Sequence, residues 1–128
     1  MRILFLGDIV GRSARDEIIA QVQRWKSDYK LDAVIVNGEN AAHGFGITAQ
    51  ICDDLYKAGI DCITTGNHVW DQREIIAYID KDPRLLRPIN FPEGTPGKGS
   101  TVIQTARGQK ILVANVMARL FMDPLDDP

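Results

Sequence analysis

Residues 63–71 read ITTGNHVWD. An apolar run stops at Gly66, and an amide (Asn67) and an imidazole (His68) follow before Trp70 and Asp71. Glycine or asparagine alone can turn a chain at the end of a strand. A histidine here needs a further reason, because the chain has only two, His43 and His68. Either His68 is a surface imidazole, or Asn67 and His68 belong to a site whose other members lie elsewhere.

The segment is the third of three that read alike. Residues 2–6 (RILFL) and 33–36 (AVIV) are short continuous apolar runs, as in strands buried on both faces, and 60–64 (IDCIT) is a weaker third. Two helical patterns lie between them. Ser13 is placed to cap the first, in which Ile18, Val22, Trp25 and Tyr29 recur at helical spacing. Thr48 is placed to cap the second, which buries Ile51, Leu55 and Ala58 and stops at Gly59. Strand, helix, strand, helix, strand predicts a parallel α/β unit. Asp71-Gln72-Arg73-Glu74 has capping-box spacing ahead of Ile75, Ile76 and Ile79, so Asp71 reads as a helix cap. Residues 88–99 (PINFPEGTPGKG) predict a loop, and 101–105 (TVIQT) with 110–116 (KILVANV) predict a β-hairpin.

Composition sets the outer bounds. At 128 residues, with 45% hydrophobic and 25% charged, the chain reads as one globular domain. A net charge of −2 argues against an extended nucleic-acid surface but leaves room for a small phosphate ligand held by a metal. Cys52 and Cys62 lack a CxxC spacing and read as reduced thiols. The apolar run before Asp8 is too short for a signal peptide, and no run is long enough to span a membrane. A cytoplasmic protein with no membrane partner is expected. Residues 122–128 (MDPLDDP) read either as a solvated acidic tail or as a point where a longer chain continues.

In a parallel sheet all strands end on one edge, where ligands bind. Gly7-Asp8 follows the first strand here, Asn37-Gly38-Glu39-Asn40 the second, and Gly66-Asn67-His68 the third. Each residue alone has a bland reading as a turn residue or solvated acid. Two carboxylates, two amides and an imidazole on one rim are a different matter, and suit hard or borderline divalent cations. Two phosphate-loop readings are weaker. Gly97-Lys98-Gly99 lacks the P-loop spacing. Gly44-Phe45-Gly46-Ile47-Thr48-Ala49 lies too far past its strand for a dinucleotide fingerprint and reads as a flexible loop over the rim, carrying His43 and Phe45.

The ordered set GDIVG, NGEN and GNHVWD resembles the calcineurin-like metallophosphoesterases, in the branch called YmdB-like. The resemblance runs the length of the chain and implies a β-sandwich flanked by helices, here the N-terminal part of a longer domain. It implies two divalent metal ions, Fe or Mn first and Mg or Zn as alternatives. On this resemblance Asp8 ligates the first metal, Glu39 bridges both, and Asn40 and Asn67 bind the second. His68 stands beside the substrate phosphate as the catalytic group. The implied activity is phosphodiester hydrolysis of a small substrate, 2′,3′-cyclic nucleotides. The alternative is a truncated, non-catalytic module that binds a metal or a partner. Half-built sheets with exposed edges would favour a homo-oligomer. Two departures stand out. The broader superfamily has Asp-x-His where this chain has Asp8-Ile9-Val10. The acid that commonly orients the GNH histidine is also missing, since Ala42 occupies its place.

Overall fold

The run 33–36 is buried along its whole length because it lies inside a sheet covered on both sides. The computed structural model describes residues 1–120, 122 and 125–127. Its elements are β1 (Ile3–Leu6), α1 (Gly11–Asp28), β2 (Ala33–Asn37), α2 (Ala49–Ala58), β3 (Cys62–Thr64), a 3₁₀ turn (Asn67–Trp70), α3 (Ile75–Ile79), β4 (Leu85–Leu86), β5 (Ser100–Gln104) and β6 (Lys110–Ala114). Strands β1 to β4 form a parallel sheet in sequence order. On one face, α1 and α2 press Ile18, Val22, Ile51 and Leu55 against Val34, Val36 and Ile63. On the other, the antiparallel β5–β6 pair sets Ile103 and Val113 onto Ala33, Ile35, Cys62 and Leu86. The fold is α/β, a parallel sheet flanked by helices and backed by a second sheet.

Three local readings need correction. β1 is not buried on both faces: Leu4 and Leu6 reach the core, but Ile3 and Phe5 are 44% and 58% exposed. They share a face with Ala33 and Ile35, which β5–β6 covers, while that cover stops short of β1. Ser13 does not cap α1. The helix begins at Gly11 behind an extended Val10 with no side-chain cap, and the Gly11 N–H donates instead to Asn40 O at 3.0 Å. Tyr29, placed in the apolar stripe by spacing, is exposed at the helix end. By contrast Thr48 does cap α2, its hydroxyl accepting from the Ile51 N–H at 3.2 Å, and Gly59 ends that helix at φ 114°.

Residues 88–99 form no helix or strand beyond a single bridge from Lys98 to Leu86, and the hairpin pairs Ser100 with Ala114 through Gln104 with Lys110. Both cysteines are buried and free; burial raises the Cys52 thiol and pushes Cys62 up to about 12. Phe121, Asp123, Pro124 and Pro128 lie outside the described residues. The described part of that segment is not simply a solvated tail. Leu125 is buried, and the Asp126 N–H donates to Asn90 O at 3.1 Å.

Asn115, just past β6, ties the sheets together. Its buried amide donates to Thr65 O at 2.8 Å and Leu86 O at 3.2 Å. Replacing Asn115 with Leu leaves both carbonyls without that donor, so unfolding free energy should fall by about 1–3 kcal/mol in denaturant melts. A variant as stable as the parent would show that this amide does not brace the third strand end.

Candidate functional site

The three strand ends are sewn together by backbone before any side chain is considered. The Ile9 N–H donates to Asn37 O and the Gly11 N–H to Asn40 O, both at 3.0 Å, fixing the first loop to the second. The Gly38 N–H donates to Thr64 O at 2.9 Å, fixing the second to the third. Asn115 and the Thr65 hydroxyl, bonded to Leu86 O at 2.8 Å, hold the third loop from behind. Asp8 sits at φ 48°, a left-handed conformation costly for a residue other than glycine, and its carboxylate accepts from the Asn40 amide at 2.6 Å.

These bonds bring four of the five expected residues to one place. Asp8, Glu39, Asn40 and Asn67 line a single open cleft of about 390 Å³, with Phe5, Gly7 and Asn37. Asn37 was not singled out from sequence. It lies against Glu39, its amide 3.5 Å from the Glu39 carboxylate and its oxygen 3.4 Å from the Glu39 N–H, both long contacts. Phe5, an apolar wall of the cleft, was missed because its run read as fully buried.

The electrostatics are lopsided. Two carboxylates share the cleft, and among the described residues no Lys, Arg or His lines it. Among the described residues neither Asp8 nor Glu39 is in an ion pair. The Asn40 amide N–H donates to Asp8, and its buried Oδ1 has no hydrogen-bond partner among the described residues. Such an orphan acceptor is costly unless something supplies positive charge. Oxygen donors of this kind fit Mg, Mn or Fe. The set is small, however: among the described residues no three His, Cys, Asp or Glu side chains gather as a metal cage. What the residues offer is the oxygen side of a site.

His68 stands next to this cleft without lining it. Its backbone N–H lies 3.5 Å from Glu39 Oε2, and its ring Nδ1 is 2.6 Å from Asp71 Oδ2. Asp71 is therefore not the helix cap its spacing suggested. α3 starts at Ile75 without a side-chain cap, and Glu74 accepts instead from the Ala49 N–H at 3.2 Å, at the start of α2. The spacing that predicts this pair is His68 to Asp71, since residues three apart eclipse in a 3₁₀ turn. The 43–46 loop is held rather than free. Its backbone bonds to Asn40 and Ala42, and the Gln72 side chain donates to Phe45 O at 2.8 Å. It sets the exposed Phe45 ring edge-on to His68, with centroids 5.4 Å apart, while His43 is exposed.

Known proteins resemble this chain over its whole length. The family model described as YmdB-like protein matches residues 4–128. A Bacillus subtilis protein named 2′,3′-cyclic-nucleotide 2′-phosphodiesterase is 52% identical over 128 residues, all of this chain and 48% of its own length. A crystal structure of a hypothetical protein from Thermus thermophilus superposes with a TM-score of 0.91 at 40% identity, over 100% of this chain and 49% of that one. A phosphatase structure from Mycoplasma pneumoniae gives 0.87 at 33% identity, over 98% and 47%. The chain thus spans about half the length of the proteins it matches. Family match, sequence identity and fold agree, and the chain belongs to the YmdB-like protein family.

Proposed function

We propose that this chain carries the oxygen-donor half of a dinuclear-metal phosphodiesterase site acting on 2′,3′-cyclic nucleotides. The observation that carries the reading is the pair of carboxylates in one cleft with, among the described residues, no cationic side chain lining it and an amide oxygen beside it without a partner. Asp8 would hold the first cation, Glu39 both, and Asn40 and Asn67 the second through their amide oxygens, with Fe or Mn the favoured metals and Mg or Zn the alternatives. When bound, the cations supply Lewis-acid polarisation of the phosphoryl group and activate water as nucleophile. The protein's own part is to hold its carboxylates together, leave the cleft open to a small anion, and set His68 beside it. His68 donates a proton to the leaving oxygen. The substrate class is supported by the name of the B. subtilis relative and by a cleft volume suited to a small ligand.

We place the protein in the cytoplasm. That placement is supported by its buried free thiols, and no helix among the described residues is long and apolar enough to cross a membrane. Ile3 and Phe5 on β1, with Val102 and Leu112 on the hairpin, leave apolar surface suited to self-association. A second reading, a non-catalytic module that binds a metal or a partner, is favoured by the small number of anionic ligands.

The two readings separate in one experiment. Elemental analysis of the purified chain is paired with hydrolysis of a 2′,3′-cyclic nucleotide in added Mn²⁺ or Fe²⁺. The enzyme reading expects about two metals per site and turnover that a chelator stops. Metal retention with no hydrolysis supports the module, and failure to bind any divalent cation removes both metal readings.

A further inference from the structure

We infer that Asp71 is a positioning residue for His68 in this reaction, selecting which ring nitrogen surrenders the proton; the inference rests on the phosphodiesterase reading above. The His68 Nδ1 and Asp71 Oδ2 lie 2.6 Å apart, a short hydrogen bond to a carboxylate that can only accept when ionised. His68 lies in the 3₁₀ turn and Asp71 immediately follows it, the Asp71 N–H donating to His68 O at 3.1 Å, so the pairing needs no distant element. The Asp71 side chain has no other hydrogen-bond partner among the described residues, and it caps no helix.

Two further groups lie against His68. Phe45 meets the ring edge-on at 79°, and the His68 backbone N–H faces Glu39. With Nδ1 engaged by Asp71, Nε2 is the ring nitrogen without a hydrogen-bond partner among the described residues, and the inference assigns it the proton transfer.

The proton balance follows. Water's oxygen forms the new bond to phosphorus as the bond to the leaving oxygen breaks. The leaving oxygen takes the proton from Nε2, and the proton released by water restores the imidazolium through solvent. After transfer the neutral ring must keep its proton on Nδ1, where Asp71 accepts it. Asp71 thereby stabilises the one neutral tautomer that results from donation at Nε2. An Asn at this position is close in shape, but its NH₂ can donate to Nδ1 and favour the opposite tautomer. That is the logic by which an orienting carboxylate serves other histidine-dependent sites.

The test pairs a spectroscopic and a kinetic reading. Nitrogen NMR of the imidazole, on the metal-free chain at a pH where the ring is neutral, should show the proton on Nδ1. Asp71→Asn should move it to Nε2, and Asp71→Glu should restore Nδ1. In hydrolysis assays Asp71→Asn should lower kcat by about 10²-fold with KM little changed, and Asp71→Glu should recover part of the loss. A parent ring already protonated on Nε2, or a tautomer switch that leaves kcat untouched, overturns the positioning role. A parent chain that shows the Nδ1 tautomer yet hydrolyses no phosphodiester overturns the catalytic reading instead, with the pairing itself intact. A merely structural role for Asp71 would instead lower the melting temperature and leave both tautomer and kcat in place.

Discussion

Glu39→Gln is expected to lower phosphodiester turnover by about 10³-fold or more while leaving the metal-free protein at least as stable as the parent. The two halves of this expectation have one cause. Glu39 and Asp8 put two negative charges in a cleft whose lining includes no Lys, Arg or His, and neither takes part in an ion pair among the described residues. An amide of the same shape removes one of these two like charges and leaves the Asp8–Asn40 hydrogen bond in place. The hydrogen bonds that Glu39 would weaken by the change, to the Asn37 amide and the His68 N–H, are both 3.5 Å long and contribute little. A ligand that binds only the folded state raises the melting temperature according to its concentration and affinity. Added Mn²⁺ should therefore raise the melting temperature of the parent and fail to raise that of Glu39→Gln. Calorimetry with and without metal, beside the hydrolysis assay, checks both halves. A variant that keeps its turnover and its metal-dependent stabilisation would remove Glu39 from the site.

How much of this was visible in the sequence depends on where each feature gets its stability. β2, β3 and α2 were legible because the forces shaping them are local. A continuous apolar run, a Thr48 cap and a left-handed Gly59 each act within a few residues. The exposure of Ile3 and Phe5 was not legible, since it depends on how far β5–β6 extends across the sheet. Ser13 failed as a cap because a tertiary bond, Gly11 to Asn40, sets the start of α1. β4 has only Leu85 and Leu86, too few residues for a period to show. For the site, the rule that parallel strands end on one edge was enough to gather Asp8, Glu39, Asn40 and Asn67. It could not orient His68. Asp71 carried two competing spacings, one to Glu74 for a cap and one to His68 for an ion pair. The short bond to the imidazole won, and only the conformation of residues 67–71 decides between them.

Gly66→Ala should reach the same functional endpoint as Glu39→Gln by a purely steric route. A Cβ at this position would overlap both carboxylate oxygens of Glu39 and lie 2.6 Å from its Cδ, and these are the three nearest atoms it would meet. Gly66 sits at φ −150°, so no left-handed conformation calls for glycine here. The methyl group is thus opposed mainly by the far end of one flexible side chain, which can rotate away. The expected result is a folded protein whose melting temperature changes by no more than a few degrees, but whose Glu39 is pushed off the cleft and whose turnover falls by about 10³-fold. Gly99→Ala provides the contrast. There the added carbon would overlap the backbone Cα of Ile89, which cannot swing aside, so the loss should appear as instability. Melting curves, metal content and kcat for the two variants test this division. If Gly66→Ala unfolds the protein as Gly99→Ala does, the glycine serves the packing of the third strand end. If it folds and still hydrolyses substrate at the parent rate, the carboxylate of Glu39 need not occupy the place it holds against Gly66, and the site must be built from other oxygens.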